Sequence, residues 1–226
     1  MYEVIKRYSV FVLGLYFLSL GVVMIISSSL GSTPISSVNY VVSLNSPLSL
    51  GTCTFIINML LIAGQLLLIR GRSTKKDYVE IMLQVPFSFV FGAFIDINMY
   101  LASGVHPSNY LMAICLLLAG CVVQAVGVVL EIKPRVAMMS AEAFVKYAAD
   151  RYDKEFGRFK VGFDVILVTI AVITSIALSG TVEGVREGSV VAATLTGVLV
   201  TYINSRIITR RNLDRVARRL HVRAVR

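Results

Sequence analysis

The sequence predicts an all-α, polytopic membrane protein: six transmembrane helices in two inverted-topology repeats of three, each repeat with a short helix that is re-entrant or interfacial. Three observations predict it. Of 226 residues 56% are hydrophobic and only 15% charged, and the apolar residues come in blocks of about twenty, the length that crosses a hydrocarbon core of ~30 Å. The basic residues fall almost entirely on one side of those blocks. And the second half of the chain repeats the first.

The blocks run over 8–28, 51–69, 80–102, 109–131, 159–179 and 188–206. The first follows Lys6 and Arg7 and ends in "SSSLGS", which resembles the plan of a cleaved signal peptide, but its counterpart at 109–131 is internal, so it is expected to be retained. In "SSSLGSTPISS", residues 27–37, all but Leu30 and Ile35 are Ser, Thr, Gly or Pro. That stretch leads a helix over 34–46 with Thr33 as N-cap and Pro34 at the first position, where a missing N–H does no harm. Ile35, Val38 and Val42 make one face, Ser36, Ser37, Tyr40 and Ser43 the rest. A matching segment over 140–152 sets Glu142, Lys146 and Asp150 against Ala141, Val145 and Ala148. About thirteen helical residues reach only ~20 Å. Such helices lie on the surface or dip in and return. Pro86 is expected to kink the third crossing.

Shifted by 106 residues, the chain aligns with itself without a gap from 21 to 58. "GVVMIISSSLGSTPISS" falls on "GVVLEIKPRVAMMSAEA", Gly21 meets Gly127, Gly51 meets Gly157 and Asn58 meets Asp164; at 105, Gly92 meets Gly197. Each half holds three crossings, so the second copy enters the membrane from the opposite side, as in many secondary transporters. The expected division is 1–104, 105–206 and a basic tail, 207–226.

With the amino terminus inside, 21 of the 22 basic residues lie inside and only Arg186 outside. The positive-inside rule then puts both termini in the cytoplasm, and a bacterial plasma (inner) membrane is the simplest compartment. The tail sets Leu213, Val216, Ala217 and Leu220 among Arg210, Arg211, Arg215, Arg218 and Arg219. This basic amphipathic helix suits anionic lipid headgroups, and its position directly after a crossing favours lipid over nucleic acid. A homo-oligomer is compatible with the sequence.

Chemistry is sparse. Cys53, Cys115 and Cys121 sit within crossings without metal-ligand spacing, and His106 and His221 lie in an outer loop and the tail. Zinc and triad chemistry lack their parts, no cofactor is expected, and an intramembrane enzyme lacks a nucleophile–base pair at one depth. Polar residues within crossings are the remaining signal, since each opposes insertion by about 3 kcal/mol when charged at a helix centre. The candidate solute-binding residues are Ser32, Thr33, Ser36, Ser37, Asn58, Gln84, Asp96, Gln124, Ser140 and Asp164. Asp96 and Asp164 read either as interfacial carboxylates or as proton-coupling groups. Glu131 and Arg158 are expected to snorkel, Gln65 and Asn98 to hydrogen-bond between helices.

"LGSTPISS", "SLGT" at 49–52, "FGAFID" at 91–96 and "VREGSVVAATLTG" at 185–197 resemble the YitT/YczE family of bacterial integral membrane proteins, as do "KPR" at 133–135, "GRFKVGFD" at 157–164 and Gly180. The resemblance covers most of 10–206 and departs before the third crossing, where "KKDYVEIMLQVPFS" replaces a glycine-threonine turn. Members are described as predicted membrane proteins or permeases, so it implies an architecture and no substrate. The function expected is a secondary transporter of a small polar or anionic solute; the alternative is a membrane scaffold or regulator.

Overall fold

The structure, a computed structural model, describes residues 2–70 and 74–207. The basic tail, with Arg210, Arg211, Arg215, Arg218 and Arg219, lies outside the described residues. Those described form eight α-helices and no strand: α1 (Tyr2–Ser27), α2 (Pro34–Leu44), α3 (Leu50–Ile69), α4 (Lys75–Leu101), α5 (Tyr110–Ile132), α6 (Ser140–Tyr152), α7 (Phe156–Ser179) and α8 (Glu187–Tyr202), the last running into a π-helical turn over Ile203–Ile207. Among them α1, α3, α4, α5, α7 and α8 are long and apolar enough to cross a membrane.

Local chemistry sets the boundaries. Thr33 caps α2, accepting the Ser36 N–H, with Pro34 next. Ser49 caps α3 by accepting the Thr52 N–H at 3.1 Å. Thr74 starts α4 with its N–H and hydroxyl both donated to Asp77. Gly180, at φ 71°, ends α7 in the left-handed conformation that a side chain disfavours. Pro86 lies inside α4, which runs on helically to Leu101.

The centre is an antiparallel pair, α1 on α5, joined along a glycine seam. A Cβ on Gly14 would stand 2.6 Å from the Glu131 nitrogen, on Gly21 2.4 Å from that of Gln124, on Gly120 2.8 Å from Ile25 Cγ1, and on Gly127 2.3 Å from the Leu18 nitrogen. Without hydrophobic drive between helices in lipid, such close approach is what dispersion requires. α4 flanks α1 and runs parallel to it, with Phe87 against Phe11, Phe94 against Tyr16 and Asn98 donating to Ser19. α8 flanks α5. α3 meets α4 at Gly51 and Gly92, where a Cβ on Gly92 would come 2.7 Å from the Gly51 carbonyl.

The two short helices are wedged among the long ones. α2 packs on α3 and α7, α6 on α3 and α7 as well, and Val38 and Val41 share a core with Ala141, Val145, Phe163, Leu167 and Ala171. No residue of Pro34–Ser43 is exposed. The last residue of α2, Leu44, is 49% exposed. Half of the most apolar stretch of α1 is buried against 22% of α7's, so α7 and α8 form the periphery.

Candidate functional site

A polar stripe crosses the contact between α2, α3, α4 and α6. Thr54, Asn58 and Gln65 recur on one face of α3 at helical spacing. Asn39 of α2 donates to Thr54 Oγ1 at 3.2 Å. Gln65 and Gln84 clasp each other, each Nε2 donating to the other's Oε1 at 2.9 Å, and Gln65 also donates to the Ser140 carbonyl at 3.0 Å. Four buried atoms here find no partner: Asn39 Oδ1, Asn58 Nδ2, Ser88 Oγ and Ser140 Oγ. Leaving such a group unsatisfied costs about 1–3 kcal/mol each. The four lie on α3 and on the helices packed against it, α2, α4 and α6, and amides and hydroxyls of this kind can exchange hydrogen bonds with a polar molecule without formal charge.

The sequence-predicted residues separate into groups. Asn58, Gln84 and Ser140 belong to the stripe. Ser32, Thr33, Ser36 and Ser37 are buried, yet their groups are largely spent locally and on α8. The Ser32 N–H donates to Ser189 Oγ at 3.0 Å and its hydroxyl to the Gly184 carbonyl at 2.8 Å. The Thr33 hydroxyl donates to Ser36 Oγ at 3.0 Å and that of Ser37 to the Pro34 carbonyl at 2.7 Å. Gln124 sits on the central seam and accepts from Thr196 at 3.4 Å.

Asp96 accepts from the Ser49 hydroxyl at 2.7 Å and the Gly51 N–H at 2.8 Å, serving the free end of α3. Asp164 pairs with Lys160 at 2.6 Å, one turn along α7. Gln65 and Asn98 bond between helices as expected.

Glu131 departs from expectation. It does not snorkel: it is 6% exposed and accepts the Met139 N–H at 3.3 Å. It lines a cavity of about 520 Å³ between the start of α4 at Glu80, the last turn of α5, the following loop, α6 and the start of α7. Sequence reasoning missed this site. A signal existed, because a carboxylate in a helix's last turn faces the negative end of the macrodipole and needs a reason to be there. Burial pushes the nearby Glu142 carboxyl above its ordinary value, which Lys160 partly opposes. Burial and the negative charges of Glu80, Asp77 and Asp150 push the Tyr147 phenol up to about 12.

Neither a curated protein nor a solved structure matches the chain. A family model described as a family of unknown function, DUF6198, matches residues 5–205. With that match running through all eight helices, the chain belongs to the DUF6198 family.

Proposed function

We propose that the protein is a secondary transporter, a permease for a small polar solute, working in a bacterial plasma membrane with both termini cytoplasmic. The four orphan polar atoms on α2, α3, α4 and α6 carry this reading. Of the two solute classes the sequence allows, polar and anionic, they favour the neutral one, since amides and hydroxyls bring no cation. The resemblance to the YitT/YczE family, some of whose members are described as permeases, supports a transporter and carries no information on the solute.

Alternating access is proposed to come from two inverted repeats, α1–α4 and α5–α8. Four observations support the pairing. Under the offset of 106, the contact of Gly14 with Glu131 becomes that of Gly120 with Ile25, and Gly21 with Gln124 becomes Gly127 with Leu18. Of the three non-glycine residues in the left-handed region, Ser29 and Arg135 are related by that offset, at φ 59° and 53°, while Asp153 has no such partner. α2 meets α7 as α6 meets α3, and α4 flanks α1 as α8 flanks α5. In this reading α2 and α6 are re-entrant, and the tail rests on anionic lipid.

A second reading, a scaffold or regulator, has one observation in its favour: an open apolar groove lined by Val4, Ile5, Tyr8, Val12, Tyr16 and Phe94 along α1 and α4. A thermal-shift screen of the purified protein against neutral polar and anionic metabolites separates the two. Ligand at a hundred times its Kd raises stability by about 2.7 kcal/mol. The transporter reading expects a stabilising solute whose effect is lost in Asn58→Leu, which fills the stripe, and weakened in Ser88→Ala, which adds no bulk. A solute effect unchanged in both variants would remove the stripe from the site.

A further inference from the structure

A second candidate site lies where the last turn of α5 meets α4, α6 and α7. The cavity there, about 520 Å³, falls within the range of small-molecule pockets. Its charges are unevenly committed. Lys160 is paired with Asp164 at 2.6 Å, the Lys146 ammonium sits 5.5 Å from the centre of the Tyr147 ring, and Arg135 is exposed at the mouth. Glu131, at 6% exposed, has a single neutral backbone donor at 3.3 Å for oxygens that can accept about four hydrogen bonds. Among the described residues neither Glu131 nor Glu142, which also lines the cavity, makes an ion pair, and Glu80 of α4, exposed and beside the Tyr147 phenol, is a third carboxylate in the lining. Val128, Met138 and Phe156 supply apolar wall beside them. The deep end is therefore carboxylate with greasy flanks, while the cations are occupied or at the rim.

We propose that this cavity binds a small organic cation, an ammonium on a short apolar body, with Glu131 as its buried counter-ion and Glu142 as the second carboxylate. An ammonium offers three donors to the under-partnered oxygens of Glu131 and Glu142, its charge favours the ionised carboxyl that burial opposes at Glu142, and its carbon chain covers Val128 and Phe156. An inorganic cation would use only the charges and leave the apolar wall wet. The inference does not rest on transport, because a scaffold with this cavity would bind the same ligand.

The test uses full-length protein in detergent, with butylammonium chloride as probe and sodium butyrate at equal ionic strength as its mirror. Butylammonium is expected to raise the melting temperature in a saturable way and butyrate to leave it unchanged. Glu131→Gln keeps the oxygen that accepts the Met139 N–H but removes the charge, and should weaken butylammonium at least about tenfold, the scale of a lost charge-assisted pair. Glu142→Gln should weaken it as well and carries the test should Glu131→Gln fail to fold. Lys146→Ala should bind as well as the parent or better. Butyrate binding more tightly than butylammonium, equal effects of butylammonium and sodium chloride, or undiminished affinity in both glutamine variants would each overturn the site.

Discussion

Asp96 looks from its sequence position like a solute ligand and works as a clamp. The first N–H groups of α3 have no partners within their own helix, and Asp96 reaches across from α4 to take the Gly51 N–H and the Ser49 hydroxyl. Asp96→Ala is expected to lower the unfolding free energy by about 1–3 kcal/mol, as for a lost bond to a charged group, while leaving solute-induced stabilisation unchanged, both measurable by melting with and without ligand. Glu142 makes a pH prediction. Its carboxyl is raised above the ordinary 4.5 in the folded chain, so the folded state favours the protonated form. Its contribution is fully present below that ordinary value and lost as pH rises through the higher folded one. Melts across acidic to neutral pH should show Glu142→Gln matching the parent in acid and exceeding it near neutrality.

At the scale of elements, the α1–α5 seam is the least forgiving contact in the fold. Gly21→Leu and Gly127→Leu would drive side chains into backbone, with losses of about 1–3 kcal/mol or more from overpacking. Gly157→Ala and Gly197→Ala meet nothing within 4 Å and should leave the melting temperature nearly unchanged; a loss as large as at the seam would show that α7 and α8 close on something. The six long helices were legible because hydrocarbon dictates their length and composition, and the α2 cap because Thr33-Pro34 has one good use. What α2 packs against was not legible. Whether an 11-residue helix lies on a surface or between neighbours depends on other helices, here α3 and the distant α7. The site was harder still. Hydropathy reports that Glu131, Asp96 and Asp164 are polar within or beside apolar runs, but not that one lines a cavity, one clamps a helix end and one pairs with a lysine a turn away.

For the whole molecule, labelling of single cysteines from either side of the membrane tests the orientation. Positions near His106 and Arg186 should be reachable from outside, and positions near Arg72 and Lys154 only from inside; external labelling near Lys154 would dissolve the inverted pairing. The halves also differ. Gly51 closes on Gly92, whereas a Cβ on Gly157 or Gly197, which align with them only under the sequence offset, would meet nothing within 4 Å. The Asp96 clamp has a consequence for biogenesis. Gly51 emerges from the ribosome 45 residues before the carboxylate that receives its N–H. Until α4 arrives, Ser49 caps only the Thr52 N–H and the Gly51 N–H has no acceptor, and α4 brings a carboxylate that lipid opposes. Both groups are satisfied only together, so α3 and α4 are expected to leave the insertion machinery as one hairpin, and a nascent chain stopped before Asp96 should keep α3 crosslinkable to that machinery.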